Sequence, residues 1–185
     1  MRIHIIGSKG IPSASIQGAG GVERHVEQVA TRLAERGHEI FVYVRDSSTY
    51  QLPEWNGVKL IRTPFIPGKN TATISHVFFS TLHVLFQKTD IIHYHGVGPS
   101  TLAWIPRLFK WKAKIVTTFH SRDWFDTKWS RFARMYLQFG EWSAVNFPHA
   151  TIAVSHVIKV FCRTNYKKEV TYIPNGADIP SSARR

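Results

Sequence analysis

An α/β domain built on a doubly wound parallel sheet is the fold class this sequence predicts, on three observations. Six short segments rich in Ile, Val, Phe and Tyr recur along the chain, helix-length amphipathic stretches lie between most of them, and a glycine-rich loop joins the first strand to the first helix. Strands alternating with helices imply parallel pairing through right-handed crossovers, which covers both faces of a sheet. The 185 residues fit one globular domain, and a hydrophobic share of 43% argues against disorder, collagen or a coiled coil.

The first strand runs over Arg2 to Gly7. Val22, Val26, Val29, Ala30 and Leu33 then fall at helical spacing before Gly37-His38, a stop signal that leads into a second strand over Glu39 to Arg45. Between Asp46 and Lys69, three prolines and two glycines predict an extended loop with a short strand near Val58 to Arg62. The oily stretch from Ile74 to Phe86 is too short for a bilayer-spanning helix and carries His76, Ser80 and His83, so it reads as a buried or half-buried helix. Asp90 to His95, Lys114 to Phe119, Ala150 to Val154 and Val170 to Ile173 complete the strands, and the expected strand order is 3-2-1-4-5-6. The chain closes on Tyr172-Ile-Pro-Asn-Gly-Ala-Asp, a strand and turn, followed by a short polar, basic tail.

Composition narrows the setting. Cys162 is the single cysteine, which excludes an internal disulfide and implies no zinc-type Cys pair. The N-terminus turns glycine-rich after a few apolar residues, too soon for a secretory segment, so a reducing, cytoplasmic location is expected. A formal charge of +12 predicts attraction to anions: phosphorylated substrates, anionic lipid headgroups or nucleic acid.

The loop from Gly7 to Gly21 stands where open α/β sheets bind ligands. Gly20 and Gly21 would let a phosphate approach the helix N-terminus, with its N–H groups and positive dipole end; the plainer reading is a flexible turn. The glycines do not form the tight dinucleotide fingerprint, which weakens a dehydrogenase or epimerase reading. His93 and His95, two apart on a strand, share one face. Their spacing would suit a metal with His120 as third ligand, although His95, at the strand end, reads better as a cleft residue. His120 closes the next strand at the carboxyl edge of the sheet; on the residues alone it is either a satisfied polar group or a functional one. The stretch from Trp124 to Trp142 mixes aromatics with Lys128, Arg131 and Arg134. It suits a membrane interface, nucleic acid, or a helix whose aromatics pack in the core while its charges stay wet.

Gly20-Gly-Val-Glu-Arg-His-Val-Glu-Gln-Val-Ala, Asp90-Ile-Ile-His-Tyr-His-Gly, Lys114-Ile-Val-Thr-Thr-Phe-His, Ala150-Thr-Ile-Ala-Val-Ser and Ile173-Pro-Asn-Gly-Ala-Asp occur in the order of the family-four retaining glycosyltransferases, which this chain resembles across nearly its whole length. Ile6-Gly-Ser-Lys-Gly-Ile-Pro further resembles a bacterial rhamnosyltransferase-like subgroup. The resemblance implies one Rossmann-like half of a two-domain GT-B glycosyltransferase: residues 1–180 as the N-terminal acceptor-side domain, 181–185 as a tail, and the donor-binding domain absent.

It further implies that the full enzyme transfers a sugar from a nucleotide-sugar donor to a glycan or lipid-linked acceptor, with retention. His120 would be catalytic, contacting the donor sugar. Gly20 and Gly21 would face the donor phosphate, and His95, Asp123 and Arg24 would line the acceptor cleft. Glu141 matches a glutamate common in the family and reads as structural. No metal or other cofactor is implied, because this fold stabilises the leaving diphosphate with amides and basic side chains. Transfer by front-face substitution needs no carboxylate nucleophile, so Glu23 and Asp123 take no such role. The chain alone is expected to be inactive, and peripheral contact with an anionic membrane at the inner face of the cell membrane fits its charge. The rival readings are a non-catalytic module for anionic glycans or lipids, and nucleic-acid binding, which rests on charge without any recognition motif.

Overall fold

The computed structural model describes residues 1–46, 52–68, 71–122 and 131–176. In chain order these form β1 (Arg2–Ile6), α1 (Gly21–Glu35), β2 (Glu39–Arg45), β3 (Glu54–Trp55), β4 (Val58–Thr63), α2 (Thr71–Leu85), β5 (Ile91–His95), α3 (Val97–Ser100), α4 (Trp104–Phe109), β6 (Lys114–Phe119), α5 (Arg131–Asn146), β7 (Ala150–Ala153), α6 (His156–Tyr166) and β8 (Thr171–Tyr172). The strands make one sheet in the order β3-β4-β2-β1-β5-β6-β7-β8, parallel throughout except for the β3–β4 hairpin.

With β4 counted as the third strand, the expected order 3-2-1-4-5-6 holds and β8 extends it. Counted over the six main segments alone, that order would have placed β5 beyond β2. The structure corrects this by pairing β5 with the free side of β1, Ile3 opposite Ile91 and Ile6 opposite Tyr94. The physical reason is the crossover: α2 swings the chain back over the sheet from β4 to β5, onto the face opposite α1.

The two faces are legible in the packing. Val26 and Ala30 of α1 bury against Ile3, Ile5, Ile40, Val42 and Leu60. Val77 and Val84 of α2 bury against the alternate set, Ile6, Tyr43, Ile92 and Ile115. A third cluster joins Leu137 and Val145 of α5 and Ile158 and Cys162 of α6 to Phe119 and Ala153. A buried aliphatic side chain contributes about 1.5–3 kcal/mol, so these clusters hold the register of every central strand. Because α1 and α2 leave the sheet on opposite faces, the topological switch point falls between β1 and β5, and their carboxyl ends open a crevice there.

Candidate functional site at the switch point

The loop after β1 is fastened by Glu23. Its side chain is buried, and its two carboxylate oxygens accept from the backbone N–H groups of Lys9 at 3.1 Å and Gly20 at 2.8 Å. As the third residue of α1, Glu23 thus reaches back to the residue that begins the helix and ties the two ends of the loop together. Glu27, one turn on, accepts from the Ser13 N–H at 2.9 Å and from its hydroxyl. The Gly20 N–H is thereby taken up by Glu23, which leaves the amides that follow it to face a ligand. Gly21, the first residue of α1, is exposed, and a Cβ there would meet nothing within 4 Å, so space stands open before the helix N-terminus.

Three histidines from three elements converge beside that N-terminus. His95 ends β5, His120 follows β6, and His25 projects from the second turn of α1. His95 Nδ1 and His120 Nε2 are hydrogen-bonded at 3.2 Å, and the His25 ring meets His120 edge-on with centroids 4.8 Å apart. One ring nitrogen of each lies within 4.8 Å of the others. Behind them the His93 ring lies tilted against His95 with centroids 4.1 Å apart and pairs with Thr118 Oγ1 at 2.8 Å, on the shared face that the two-residue spacing predicts.

Burial keeps the cluster neutral. Desolvation pushes His93 down to about 3 and His120 to about 4, takes His95 well below its ordinary value and lowers His25, which a hydrogen bond to the Asn175 side chain partly offsets. His95 Nε2 is buried without a partner. A buried unpaired N–H costs more than an unpaired lone pair, so the favoured tautomer has His95 Nδ1–H donating to His120 Nε2. That leaves His120 with its N–H on Nδ1, a donor for a hydroxyl or an anionic oxygen.

A cleft of about 630 Å³ lies between α1 and the Pro-Asn-Gly turn after β8, lined by Gly21, Arg24, His25, Gln28, Arg32 and Asn175 among others. Glu141 supports the site from behind. It is buried on α5, receives Arg122 Nε at 3.2 Å and the Tyr166 hydroxyl at 2.6 Å, and Arg122 also lies 3.5 Å over the Phe161 ring. This fixes the chain two residues past His120 to both α5 and α6. Two glycines permit the close packing: at Gly7, with φ +121°, a Cβ would press on the His95 carbonyl, and at Gly140 it would collide with the Val97 carbonyl.

Of the residues singled out from sequence, Gly20, Gly21, Arg24, His95 and His120 thus gather at one edge of the sheet. His95 is corrected from lining the cleft to lying buried beneath it, because β5 is a central strand and its last side chain points under α1. Asp123, like Lys128, lies outside the described residues. His25 and Asn175 were missed. The signal for His25 is its spacing, since Gly21, His25, Gln28 and Arg32 share one helical face.

Fold and site together define a class: a Rossmann-like half of a GT-B glycosyltransferase, with its ligand edge at the switch point. The chain belongs to Glycosyltransferase Family 4, whose model matches residues 19–180. It is similar to a phosphatidyl-myo-inositol mannosyltransferase of Mycolicibacterium smegmatis, 27% identical over 172 residues that make up 89% of this chain and 42% of that protein. Among solved structures, sucrose-phosphate synthase from Thermosynechococcus elongatus superposes with a TM-score of 0.77 at 18% identity, over 96% of this chain and 49% of that one. UGT89C1 of Arabidopsis thaliana, complexed with UDP-L-rhamnose, gives 0.55 at 13% identity over 97% and 49%. The chain therefore spans about half the length of these relatives.

Proposed function

We propose that this chain is the acceptor-side half of a retaining glycosyltransferase that moves a sugar from a nucleotide-sugar donor to a glycan or lipid-linked acceptor. The observation that carries this reading is the convergence of His120, His95 and His25 on the open N-terminus of α1, beside a cleft flanked by Arg24 and Arg32. A neutral donor on His120 suits a sugar hydroxyl, while the helix dipole and the two guanidinium groups suit a diphosphate. Family membership supports glycosyl transfer. The UDP-L-rhamnose held by one structural neighbour supports a nucleotide-sugar donor, and the lipid named in the mannosyltransferase relative supports a lipid-linked acceptor.

In this reading the amides at Gly21 face the donor phosphate, Gly20 sets the loop end through Glu23, and His120 holds the donor sugar over the acceptor. Arg24 and Asp123 take the acceptor. Transfer runs by front-face substitution: the acceptor oxygen bonds the anomeric carbon as the sugar–phosphate bond breaks, and the leaving phosphate takes the acceptor proton. Charge stabilisation by amides and guanidinium groups makes a metal cofactor unnecessary. Incubating a full-length protein with a panel of nucleotide sugars and glycan or lipid acceptors tests this. Transfer with retained anomeric configuration, undiminished by a chelator, is expected; an inverted product or an absolute need for Mg²⁺ overturns the mechanism.

We further propose that the protein acts peripherally at an anionic membrane on the inner face of the cell membrane. Among the described residues, no helix is long and apolar enough to cross a bilayer. The core-packing reading of α5 is corrected by the structure: Phe132, Met135, Phe139 and Trp142 form an outward stripe, 85% and 61% exposed at Phe132 and Met135. Arg131 and Arg134 flank it, a composition that suits the headgroup region. Since α5 follows β6, its first turns lie toward the site edge of the sheet, which would bring a lipid-borne acceptor near the cleft.

A further inference from the structure

We propose that His25, His95 and His120 form a site for a transition metal of the zinc type. The binding does not depend on the function proposed above. Three imidazole nitrogens within 4.8 Å of one another come from three rigid elements, α1, β5 and the end of β6. Zinc takes imidazole nitrogens at about 2.0–2.1 Å, which sets the tetrahedral nitrogen–nitrogen edge at roughly 3.3 Å. The His95–His120 pair already stands at 3.2 Å, and His25, half-buried on the cleft wall, has a ring nitrogen within 4.8 Å of both, so closing the triangle means moving in at the expense of its hydrogen bond to Asn175.

Ligand type selects the metal. Imidazole suits zinc, copper and nickel, whereas Mg²⁺ prefers oxygen donors. Among the described residues no carboxylate joins the triad, and Glu23, the buried acid of α1, is engaged by Lys9 and Gly20. With three protein ligands, the fourth position faces the cleft and stays open to water or a phosphate oxygen.

One cost limits affinity. For a metal to take Nδ1 of His95, the ring proton must move to Nε2, which is buried and has no partner. That penalty makes binding weaker than at a structural zinc site. Such a site answers to free metal and is not permanently filled.

Isothermal titration of the 185-residue chain with zinc chloride tests the proposal without any need for activity. One equivalent should bind, with no response to magnesium. His25→Ala and His120→Ala should each weaken binding at least about tenfold, since even outer-shell changes cost about that much. His156→Asn, an exposed histidine on α6, should leave it unchanged. Thermal melts of each variant establish folding, and His25→Ala, at a half-buried helical position, carries the test if His120→Ala does not fold. No saturable binding near one equivalent, or binding unaltered in both variants, overturns the site and leaves the glycosyl-transfer reading standing. Loss of that reading would in turn leave the zinc measurement interpretable.

Discussion

Glu23 shows how a buried acid in a glycosyltransferase-like site can be structural. Both its oxygens are committed to backbone N–H groups at the two ends of the glycine loop, so Glu23→Ala leaves two donors without an acceptor. A loss of roughly 2–4 kcal/mol in folding stability is expected, read as a lowered midpoint in urea denaturation. An unchanged midpoint would show that the loop is not held this way. Gly140→Ala should cost as much or more, because its added methyl meets the Val97 carbonyl and must push α5 off α3. The sequence exposes such residues unequally. Gly20, Gly21, His95 and His120 are visible because strand ends and loop glycines mark the ligand edge of a parallel sheet. His25 and Asn175 are harder to find, because their meeting depends on how α1 lies across the sheet and where β8 ends.

At the scale of elements, the parallel strands are legible because each is a short run of β-branched and aromatic residues buried on both faces. β3 was overlooked, although Trp55-Asn-Gly-Val58 carries the hairpin signal: Asn56 and Gly57 both adopt positive φ, at 45° and 75°. α5 misled for another reason. Its aromatics suggest a core face, yet Phe132, Phe139 and Trp142 face outward, and the face that packs carries Leu137 and Val145 beside Gly140, Ser143 and Ala144, whose small side chains let α3 and α5 approach closely. The exposed stripe makes a sharp prediction in vesicle flotation. The protein should float with anionic and not with neutral liposomes, in a salt-sensitive manner, and Phe132→Ser with Met135→Ser should abolish it. A second basic and aromatic surface, Phe109, Lys110, Trp111 and Lys112, sits at the opposite edge of the sheet. Charge reversal at Lys110 and Lys112 should weaken flotation less; the reverse ranking would move the membrane contact there.

Over the whole molecule, buried histidines tie stability to pH. His4 and His76 are each held at about 4, His4 by burial with opposing influences from Lys88 and Glu39 and reinforcement from His83 and Lys110, His76 by burial beside Arg45. Their unfolded values lie near 6.5, so the unfolded chain takes up protons that the folded chain refuses as pH falls between about 6.5 and 4. Stability should be full above that window and fall through it, by roughly 3 kcal/mol per group at its lower end. His76→Gln should flatten the melting temperature against pH; an equally steep profile would contradict the assignment.

The chain spans about half the length of its relatives, and in the proposed reading a second domain completes the site. Without a second domain facing α1 and the Pro-Asn-Gly turn, donor positioning, worth up to about 7–11 kcal/mol when complete, is lost, and the 185 residues alone should show no turnover. His120 is proposed to act on the donor sugar at the switch point. The most direct measurement is the transfer rate of a full-length protein at saturating nucleotide sugar, wild type against His120→Ala, both shown to be folded. A fall in kcat of about 10²–10³, the scale for removing one preorganised donor, is the predicted result. An unimpaired His120→Ala enzyme would contradict it.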